Sequence, residues 1–308
     1  MRPIEPKYYY RQFLHPRYWG TWLTISVMYL ISLLPYKGKL WLGEKLGLLL
    51  LRLGGSRRHT AQTNIRACFP DWSDAEQQKL LRETFISNAT GYIENTIAWW
   101  NDLQPFYDKL EVEGKEHFDE AVRRGKGVLV IGAHFSIMDF ALPLFNYIST
   151  FNYMYRPQNN KLLDAFLERR RRRNSGAHFN KRQTRDMVEF IKQGNVVWYG
   201  PDQDLGNKHC VFAPLMGVQT ACLTTPAWIA RETGATVIQL SQFRDTERPG
   251  VYRLVFTEIL EDYPSDDEVA NATMLNQCLE RAIRRDPAQY LWLHRRFKTR
   301  PEGEAKFY

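Results

Sequence analysis

The feature that most constrains the fold of this chain is a short apolar run, VLVI at residues 128–131, which follows a glycine. Four consecutive β-favouring residues are typical of a strand that is buried on both faces, as in a parallel sheet. A turn of small residues, then His134, then an amphipathic segment at residues 137–147 come directly after it. Ligands of open α/β sheets bind outside the carboxyl ends of the strands. The pattern therefore predicts that His134 stands at a ligand-binding edge of a sheet.

The spacing between His134 and Asp139 favours a pair of side chains that act together. Along one continuous helix, five positions correspond to about 500° of rotation, so the two side chains would point apart. If His134 instead precedes the helix and Asp139 lies in its first turn, the loop can fold the imidazole back onto the carboxylate. That pairing fixes the tautomer of the ring and makes its outer nitrogen a better proton acceptor.

Two structural interpretations of the same residues stay open at this point. Ser136 and Asp139 resemble a capping box with Asp in place of Glu, and an acid in a first turn is favoured by the helix dipole. A histidine at a strand end is also often a hydrogen-bonded core residue. The residues alone thus predict either a general base with its partner, or a capped helix beside a structural histidine.

Strand-like and helix-like segments alternate from residue 110 onwards, which predicts an α/β fold with a mostly parallel sheet flanked by helices. The predicted strands are residues 110–113, 128–131, 151–155, 195–199, 236–242 and 252–257. The predicted helices are residues 115–124, 137–147, 162–173, 182–193, 225–232 and 267–284. A helical region with breaks at Gly54, Gly55 and Pro70 precedes them.

Residues 18–36 hold no charged side chain and predict a membrane-anchoring helix near the N-terminus. The length of this run is at the lower edge of what spans a bilayer. Several of its aromatic residues, Trp19, Trp22, Tyr29 and Tyr36, suit positions at a membrane interface. We therefore expect an anchor over residues 1–37 and a catalytic domain over residues 38–308. The alternatives are a buried core helix and a helix that lies in the plane of the interface.

The composition favours an acidic partner. Lys and Arg number 42 against 34 Asp and Glu, which gives a formal charge of +8. Such a charge predicts nucleic acid, anionic lipid or an acidic protein as a partner. Because no basic region carries a nucleic-acid-binding signature, we expect no nucleic acid. The four cysteines form no C-x-x-C pair, so we expect reduced thiols and no metal or redox site.

Five consecutive arginines, residues 169–173, end one of the predicted helices. They can be a solvated helix end that complements the helix dipole, or a localisation tag. Because five like charges repel one another, an anionic partner is the more economical interpretation, and the arginine fork suits phosphate and carboxylate. We expect Arg171 to point into the site, and the others, Arg169 and Arg173 among them, to face an anionic lipid substrate.

A second loop at a strand end, GPDQDLG at residues 200–206, follows the strand predicted at residues 195–199. If the strands are parallel, this loop lies near His134. Asp202 and Asp204 are then candidates for substrate binding. They can instead serve the turn, since Asp side chains hydrogen-bond to the local backbone. Two acids two residues apart can also bind a metal, but no further ligand spacing supports a metal site.

Several stretches of the chain resemble one known family. They are FLHPRYW, NI, CFP, YRP, VWYGPDQD and LWLHRRFKTRPEG, at residues 13–19, 64–65, 68–70, 155–157, 197–204 and 291–303. With His-x4-Asp after a buried strand, they look like the late acyltransferases of lipid A biosynthesis, within the glycerolipid-type acyltransferase superfamily. They look most like the lauroyl/palmitoleoyl branch, over nearly the whole chain. Many members of that branch carry Glu where this chain has Asp139, and the shorter side chain demands a closer approach to the histidine.

The resemblance implies a reaction and its partners. An acyl thioester on acyl carrier protein would be the donor. The acceptor would be a hydroxyacyl chain of a tetraacylated lipid A precursor that bears two Kdo sugars. His134, oriented by Asp139, would remove the proton of the hydroxyl, and Asp202 and Asp204 fall in the stretch that resembles the acceptor-binding motif. The resemblance implies no cofactor, and it implies attachment to the inner membrane with the catalytic domain on the cytoplasmic side.

Two smaller expectations accompany this picture. The apolar residues 212–217 are expected to line an acyl groove or to form an ordinary core turn. Arg295, Arg296, Lys298 and Arg300 are expected to belong to a basic surface for the acidic carrier protein.

The chain also lacks the motifs of other acyl-transfer chemistries. It contains no G-x-S-x-G elbow, no Walker loop and no H-E-x-x-H, so we expect direct attack and no covalent acyl-enzyme. Two rival functions remain at this point. One is a phospholipid acyltransferase of the same superfamily, and the other is a basic membrane-surface binding protein without chemistry.

Overall fold

The computed structural model describes residues 10–180, 182–206 and 208–308. Its helices are α1 (Trp19–Ser32), α2 (Tyr36–Leu53), α3 (Gly55–Cys68), α4 (Asp74–Trp100), α5 (Gln104–Tyr107), α6 (Lys115–Arg123), α7 (Met138–Phe145), α8 (Lys161–Arg171), α9 (Thr184–Lys192), α10 (Thr225–Thr233) and α11 (Glu268–Arg285). Its strands are β1 (Leu110–Glu113), β2 (Val128–Gly132), β3 (Tyr153–Tyr155), β4 (His178–Asn180), β5 (Val196–Tyr199), β6 (Cys210–Leu215), β7 (Val218–Leu223), β8 (Thr236–Arg244) and β9 (Tyr252–Phe256). Short 3-10 turns cover Tyr10–Phe13, Pro16–Tyr18 and Pro287–Gln289.

Seven of these strands form one sheet in the order β1-β9-β8-β2-β5-β3-β4, and β6 and β7 form a separate hairpin. Neighbouring strands of the sheet run parallel except β8 and β9, which are antiparallel. The α/β class and the mostly parallel sheet are therefore confirmed. All five residues of β2 are buried at the centre of the sheet, as its apolar run predicts.

Helices cover both faces of this sheet. Val128 and Val130 of β2 pack in a cluster with residues of α4, α6, α7 and α8. Leu129 and Ile131 pack in a second cluster with residues of α9 and α10. Because successive side chains of a strand point to opposite faces, a strand between two helical layers has to be apolar at every position.

The N-terminal apolar run does not form one long helix. α1 has 14 residues and ends at Ser32, and α2 begins at Tyr36 after a break that contains Pro35, whose ring prevents a continuous helix. In the part of the chain that the structure describes, we find no helix with both the length and the apolar character needed to cross a bilayer. The division into an anchor over residues 1–37 and a domain over residues 38–308 stays a prediction, and residues 1–9 lie outside the described residues.

The β6–β7 hairpin is the largest element that the sequence did not predict. Residues 212–217, expected to form an acyl groove or a core turn, belong to β6 and to its turn at Met216 and Gly217. Both turn residues have positive φ angles, 51° and 80°. Two-residue hairpin turns require such angles, but methionine rarely adopts them, so the sequence carries little sign of this turn.

α4 supports the loop that follows β2 and carries His134. The helix begins with a capping box formed by Ser73 and Glu76. Where it passes the loop, Gly91 faces the backbone of Ser136, and a Cβ atom at Gly91 would lie 1.9 Å from the Ser136 carbonyl oxygen. One turn earlier, the hydroxyl groups of Ser87 and Ser136 are hydrogen-bonded at 2.8 Å. Only glycine allows this close approach.

A buried ion pair fixes α4 to the sheet. The Nε atom of Arg244, at the end of β8, donates a 2.8 Å hydrogen bond to Oε1 of Glu94, and the Tyr252 hydroxyl donates to the same oxygen at 2.6 Å. Both charged side chains are almost completely buried. Removal of one partner from such a pair leaves an uncompensated charge and costs about 3–5 kcal/mol. This pair therefore holds α4 in place against the sheet.

Replacement of Gly91 by alanine is expected to displace the loop that carries Ser136, because the new methyl group would overlap the Ser136 carbonyl. Overpacking of this kind costs about 1–3 kcal/mol, and movement of the loop should also lower turnover. The matched control is Gly20→Ala in α1, where no atom lies within contact of the new methyl group. Thermal melts and rate assays of both variants test this, and equal behaviour would show that α4 does not support the loop.

Candidate active site

The site forms where β2 and β5 end side by side. The two strands are parallel neighbours, with Val130 opposite Trp198 and Ile131 opposite Tyr199. The loops that follow them therefore leave the sheet at the same edge. The prediction that residues 200–206 lie near His134 is confirmed, because Asp202 of this loop contacts His134 directly.

Asp202 binds His134 through both of its carboxylate oxygens. Oδ1 lies 2.6 Å from Nδ1 of the ring, and Oδ2 accepts a 2.9 Å hydrogen bond from the His134 backbone N–H. The Asp202 side chain is 4% exposed, whereas the His134 side chain is 21% exposed. With Nδ1 held by the carboxylate, Nε2 is the ring nitrogen that can accept a proton.

The electrostatics of this pair make the histidine more basic. Burial alone lowers the pKa of His134, but the charge and hydrogen bond of Asp202, with a smaller contribution from Asp139, outweigh burial and raise the pKa above its ordinary value. Burial likewise opposes ionisation of Asp202, but His134 and the buried Arg296 hold the pKa of that carboxyl below its usual range. The pair is therefore suited to accept a proton and to stabilise the resulting imidazolium.

Asp139 is not the hydrogen-bond partner of His134, so that expectation is wrong. α7 begins at Met138, which places Asp139 in its first turn, and the Asp139 Oδ1 atom lies 2.6 Å from Nη2 of Arg171 on α8. The His134 ring turns instead toward the neighbouring strand end. The capping box of Ser136 and Asp139 does not form, because Ile137 is the N-cap of α7 and no side chain caps it, but Asp139 does lie in the first turn, where the helix dipole favours an acid. Asp139 affects His134 through its charge alone.

The five arginines of residues 169–173 do not form one surface. Arg171 is the member that pairs with Asp139, and the expectation that it points into the site stays a prediction. Three others contact neighbouring side chains: Arg169 lies over the ring of Tyr10, Arg170 over the ring of Trp100, and Arg172 pairs with Glu168. Arg169 and Arg173 are exposed. Binding of substrate by Arg169, Arg171 and Arg173 stays a prediction.

Asp204 connects its loop to the C-terminal segment. Its side chain is 0% exposed, and its oxygens accept hydrogen bonds from the Thr299 backbone N–H at 2.6 Å and the Thr299 hydroxyl at 2.8 Å. A third bond comes from the Gly206 N–H at 3.0 Å. Both oxygens of Asp204 thus already have partners within the protein, and binding of substrate by Asp202 and Asp204 stays a prediction. Asp202, also expected to bind the acceptor, directs both oxygens to His134 instead.

The segment after α11 supports the His134 loop from another side. The Leu291 N–H donates a 3.1 Å hydrogen bond to the His134 carbonyl oxygen, and the Ser136 N–H donates a 2.7 Å bond to the Gln289 carbonyl oxygen. These backbone bonds fix the loop on both sides of Phe135. No short-range pattern in the sequence connects residues so far apart, which is why the sequence did not predict this support.

Arg296 is a buried residue of the site and not part of a surface for a carrier protein. Its side chain is 3% exposed, and its guanidinium donates a 2.8 Å hydrogen bond to the Ala221 carbonyl oxygen. Its positive charge lowers the pKa of Asp202. Arg295 and Lys298 are exposed, as expected. In the sequence, Arg296 lies in the same basic stretch as Arg295 and Lys298, and nothing in that stretch indicates that Arg296 alone is buried.

An open cleft of about 410 Å³ lies at His134. Most of its lining side chains are apolar or aromatic: Met154, Tyr155, Trp198, Tyr199, Leu205 and Leu223. Two polar side chains, Arg156 and Gln203, also line it. A cavity that is mainly apolar, with a few polar groups near a reactive centre, suits a ligand with a hydrocarbon part. Within residues 10–180, 182–206 and 208–308, no group of three His, Cys, Asp or Glu side chains is arranged to hold a metal ion.

The chain is similar to known proteins over nearly its whole length. The family model described as bacterial lipid A biosynthesis acyltransferase matches residues 7–299. The chain is 36% identical over 302 residues to the lipid A biosynthesis palmitoleoyltransferase of Escherichia coli (strain K12), with 97% of each chain covered. It is also 36% identical over 296 residues to the lipid A biosynthesis lauroyltransferase of that organism, with 96% of each covered.

A more distant relative is the lipid A biosynthesis myristoyltransferase of Escherichia coli (strain K12). It is 28% identical over 305 residues, which cover 97% of this chain and 93% of the relative. These matches cover nearly the whole chain, and they are consistent with the α/β fold and with the cleft at His134. The chain belongs to the family of bacterial lipid A biosynthesis acyltransferases.

Proposed function

We propose that this acyltransferase transfers a fatty acyl chain from acyl carrier protein to a hydroxyacyl chain of a tetraacylated lipid A precursor that bears two Kdo sugars. The observation that carries the proposal is the His134–Asp202 pair beside a largely apolar cleft. The cleft suits the hydrocarbon chains of both substrates, and the pair suits the deprotonation of a hydroxyl group. The resemblance to the lauroyl/palmitoleoyl branch supports the choice of donor and acceptor.

In the proposed reaction, His134 acts as the general base. The acceptor hydroxyl attacks the carbonyl carbon of the thioester, and its proton moves to Nε2 as the new O–C bond forms. Asp202 stabilises the resulting imidazolium through the bond to Nδ1. The tetrahedral intermediate then breaks its C–S bond, and the departing thiolate of the carrier takes the proton back from His134. No side chain of the protein becomes acylated.

The ion pair between Asp139 and Arg171 has a separate role in this proposal. The negative charge on the carbonyl oxygen of the intermediate needs donors that are held in place before the reaction. Arg171 offers several N–H groups, and the 2.6 Å bond to Asp139 holds its guanidinium in place, while the charge of Asp139 also contributes to the raised pKa of His134. We therefore assign the binding of the oxyanion to Arg171 and its orientation to Asp139.

One cationic side chain at the cleft is a candidate for binding the acidic groups of the proposed acceptor. Arg156 lines the cavity at His134, and it forms no ion pair with any residue that the structure describes. Phosphate and carboxylate groups are the anions that an arginine fork binds best. Arg169 and Arg173 are exposed and available for the same purpose. Exposed Arg295 and Lys298 remain candidates for the acidic carrier protein.

We also propose that the N-terminal helices attach the protein to the inner membrane, with the catalytic domain on the cytoplasmic side. Much of the exposed apolar surface lies on α1, α2 and their flanks: Leu14, Trp19, Leu23, Val27, Leu30, Leu33, Trp41, Leu49 and Leu53. Large exposed apolar surfaces mark membrane or protein interaction sites. Because α1 is short, attachment in the plane of the interface fits better than a single spanning helix.

The first test is an acyl-transfer assay with an acyl-carrier-protein donor and two alternative acceptors, the Kdo-bearing lipid A precursor and a lysophospholipid. The wild-type protein should acylate the lipid A precursor in preference, and mass spectrometry of the product identifies the chain transferred. His134→Ala should lose about 10²- to 10⁴-fold in rate while it stays folded. Preference for the lysophospholipid would favour the phospholipid rival, and full activity of His134→Ala would refute the mechanism.

The second test separates the two carboxylates. Asp202→Asn removes the charge that orients His134 and should lower kcat by about 10²- to 10⁴-fold. Asp139→Asn breaks the ion pair with Arg171, and its effect should resemble that of Arg171→Gln, since both act on the same guanidinium. A double variant of Asp139 and Arg171 should then be little worse than either single variant. If Asp139→Asn proves as inactive as Asp202→Asn while Arg171→Gln stays active, Asp139 serves His134 after all.

The third test is the pH dependence of kcat/KM. The reaction needs neutral His134, and Asp202 holds the pKa of this histidine above its ordinary value of 6.5. Activity of the wild-type protein should therefore fall as the pH drops through a value above 6.5, and this acidic limb should move to lower pH in Asp202→Asn. A limb at or below the ordinary histidine value in the wild-type protein would contradict the proposed pairing.

A further inference from the structure

A second cavity, which we call the basic groove, lies between α2 and α4. Its volume is about 360 Å³, and it shares no lining residue with the cleft at His134. Three cationic and three leucine side chains line it: Lys45, Arg52, Arg82, Leu48, Leu49 and Leu51. The groove thus combines positive charge with apolar walls, which is the chemistry that an anionic amphiphile requires.

The positive charge of the basic groove is poorly neutralised by the protein. Among the residues that the structure describes, neither Arg52 nor Arg82 takes part in an ion pair. Lys45 lies 3.5 Å from Glu44, but both side chains are about half exposed, where such pairs are weak. Three cations around one cavity repel one another, so an anion bound between them lowers the energy of the site.

The face of α2 that lines the basic groove also carries exposed apolar residues. At 100° per residue, Trp41, Lys45, Leu49, Arg52 and Leu53 lie on one side of the helix. Trp41 is 61% exposed, Leu49 50% and Leu53 73%. A helix face with large apolar residues and interspersed cations is typical of helices that lie in a lipid interface. The long cationic side chains then reach the head groups while the apolar residues enter the acyl layer.

The opposite side of α2 is buried, which fixes the direction of the exposed face. Gly43 and Gly47 lie on that side, and a Cβ atom at either position would approach α4 within 2.5 Å. α2 is therefore packed tightly on α4, and Lys45, Arg52 and Leu53 cannot turn toward the protein interior without separating the two helices. The exposed face is a fixed property of the fold.

We propose that the basic groove binds the phosphate head group of an anionic phospholipid of the bilayer, while Trp41, Leu49 and Leu53 enter the acyl layer. Arg52 and Arg82 supply bidentate donors to the phosphate, and Leu48 and Leu51 contact the apolar part of the same lipid. The inference rests on the membrane attachment proposed above and adds a head-group preference at a site apart from His134.

The test uses the full chain and two kinds of vesicle, one of phosphatidylcholine alone and one that also contains phosphatidylglycerol. Sedimentation measures the bound fraction. The wild-type protein should bind the phosphatidylglycerol vesicles more tightly, and this preference should shrink as salt is added. Arg52→Gln and Arg82→Gln should each weaken binding to these vesicles about five-fold, and the double variant about twenty-fold. Binding of the variants to phosphatidylcholine vesicles should equal that of the wild-type protein.

The matched control is Arg185→Gln, which removes one positive charge from an exposed position on α9. It should bind both kinds of vesicle like the wild-type protein. If Arg185→Gln weakens binding as much as Arg52→Gln, the attraction is a property of total charge and the basic groove has no special part in it. Equal affinity of the wild-type protein for both vesicles would also overturn the inference.

Two further readouts separate this inference from the proposals on which it rests. Acyl transfer by Arg52→Gln and Arg82→Gln in detergent micelles should match the wild-type rate, because neither residue belongs to the site at His134. A loss of transfer in micelles would place these arginines in substrate recognition and overturn the head-group role. If the wild-type protein binds neither kind of vesicle, the proposed membrane attachment itself is wrong. The chemistry of acyl transfer is tested separately, by the His134→Ala assay.

Discussion

The parallel pairing of β2 with β5 is the constraint on which the site depends. It brings together two loops whose key residues, His134 and Asp202, are 68 positions apart in the chain. The register matters as much as the pairing, since a slip of one residue would turn every side chain of a strand to the other face. α4 and the segment after α11 then hold the His134 loop from two sides, through the contact at Gly91 and the backbone bond from Leu291.

The sequence was informative about local structure and about the edge of the sheet at which the site lies. A fully apolar strand can only be buried on both faces, so the run at residues 128–131 predicted a parallel sheet and the position of His134 at its edge. It could not identify the partner of His134. Asp139 is near in sequence and Asp202 is near in space, and only the strand order shows that the loop after β5 lies closer. Spacing along the chain favoured Asp139 as the partner of His134, whereas in the structure the partner is Asp202.

Charged residues with distant partners were the least predictable part. Asp204 and Arg296 occur in polar, turn-rich stretches that are typical of a surface, yet both are buried because Thr299 and Ala221 supply hydrogen bonds from remote parts of the chain. The arginines of residues 169–173 were predicted as a group, although four of them contact four different neighbours. A run of like residues on a helix points in all directions, so composition alone does not define a surface.

The support of the His134 loop by residues 289–299 has a consequence for the biosynthesis of the protein. The nine strands in the described part of the chain all precede these residues. Since proteins begin to fold from the N-terminal side as they emerge from the ribosome, the sheet can form while residues 289–299 are still missing. At that stage the bonds from Leu291 to His134 and from Ser136 to Gln289 do not yet exist. The sheet can therefore form before the His134 loop acquires its bonds to Gln289 and Leu291, so this loop is completed later than the scaffold that surrounds it.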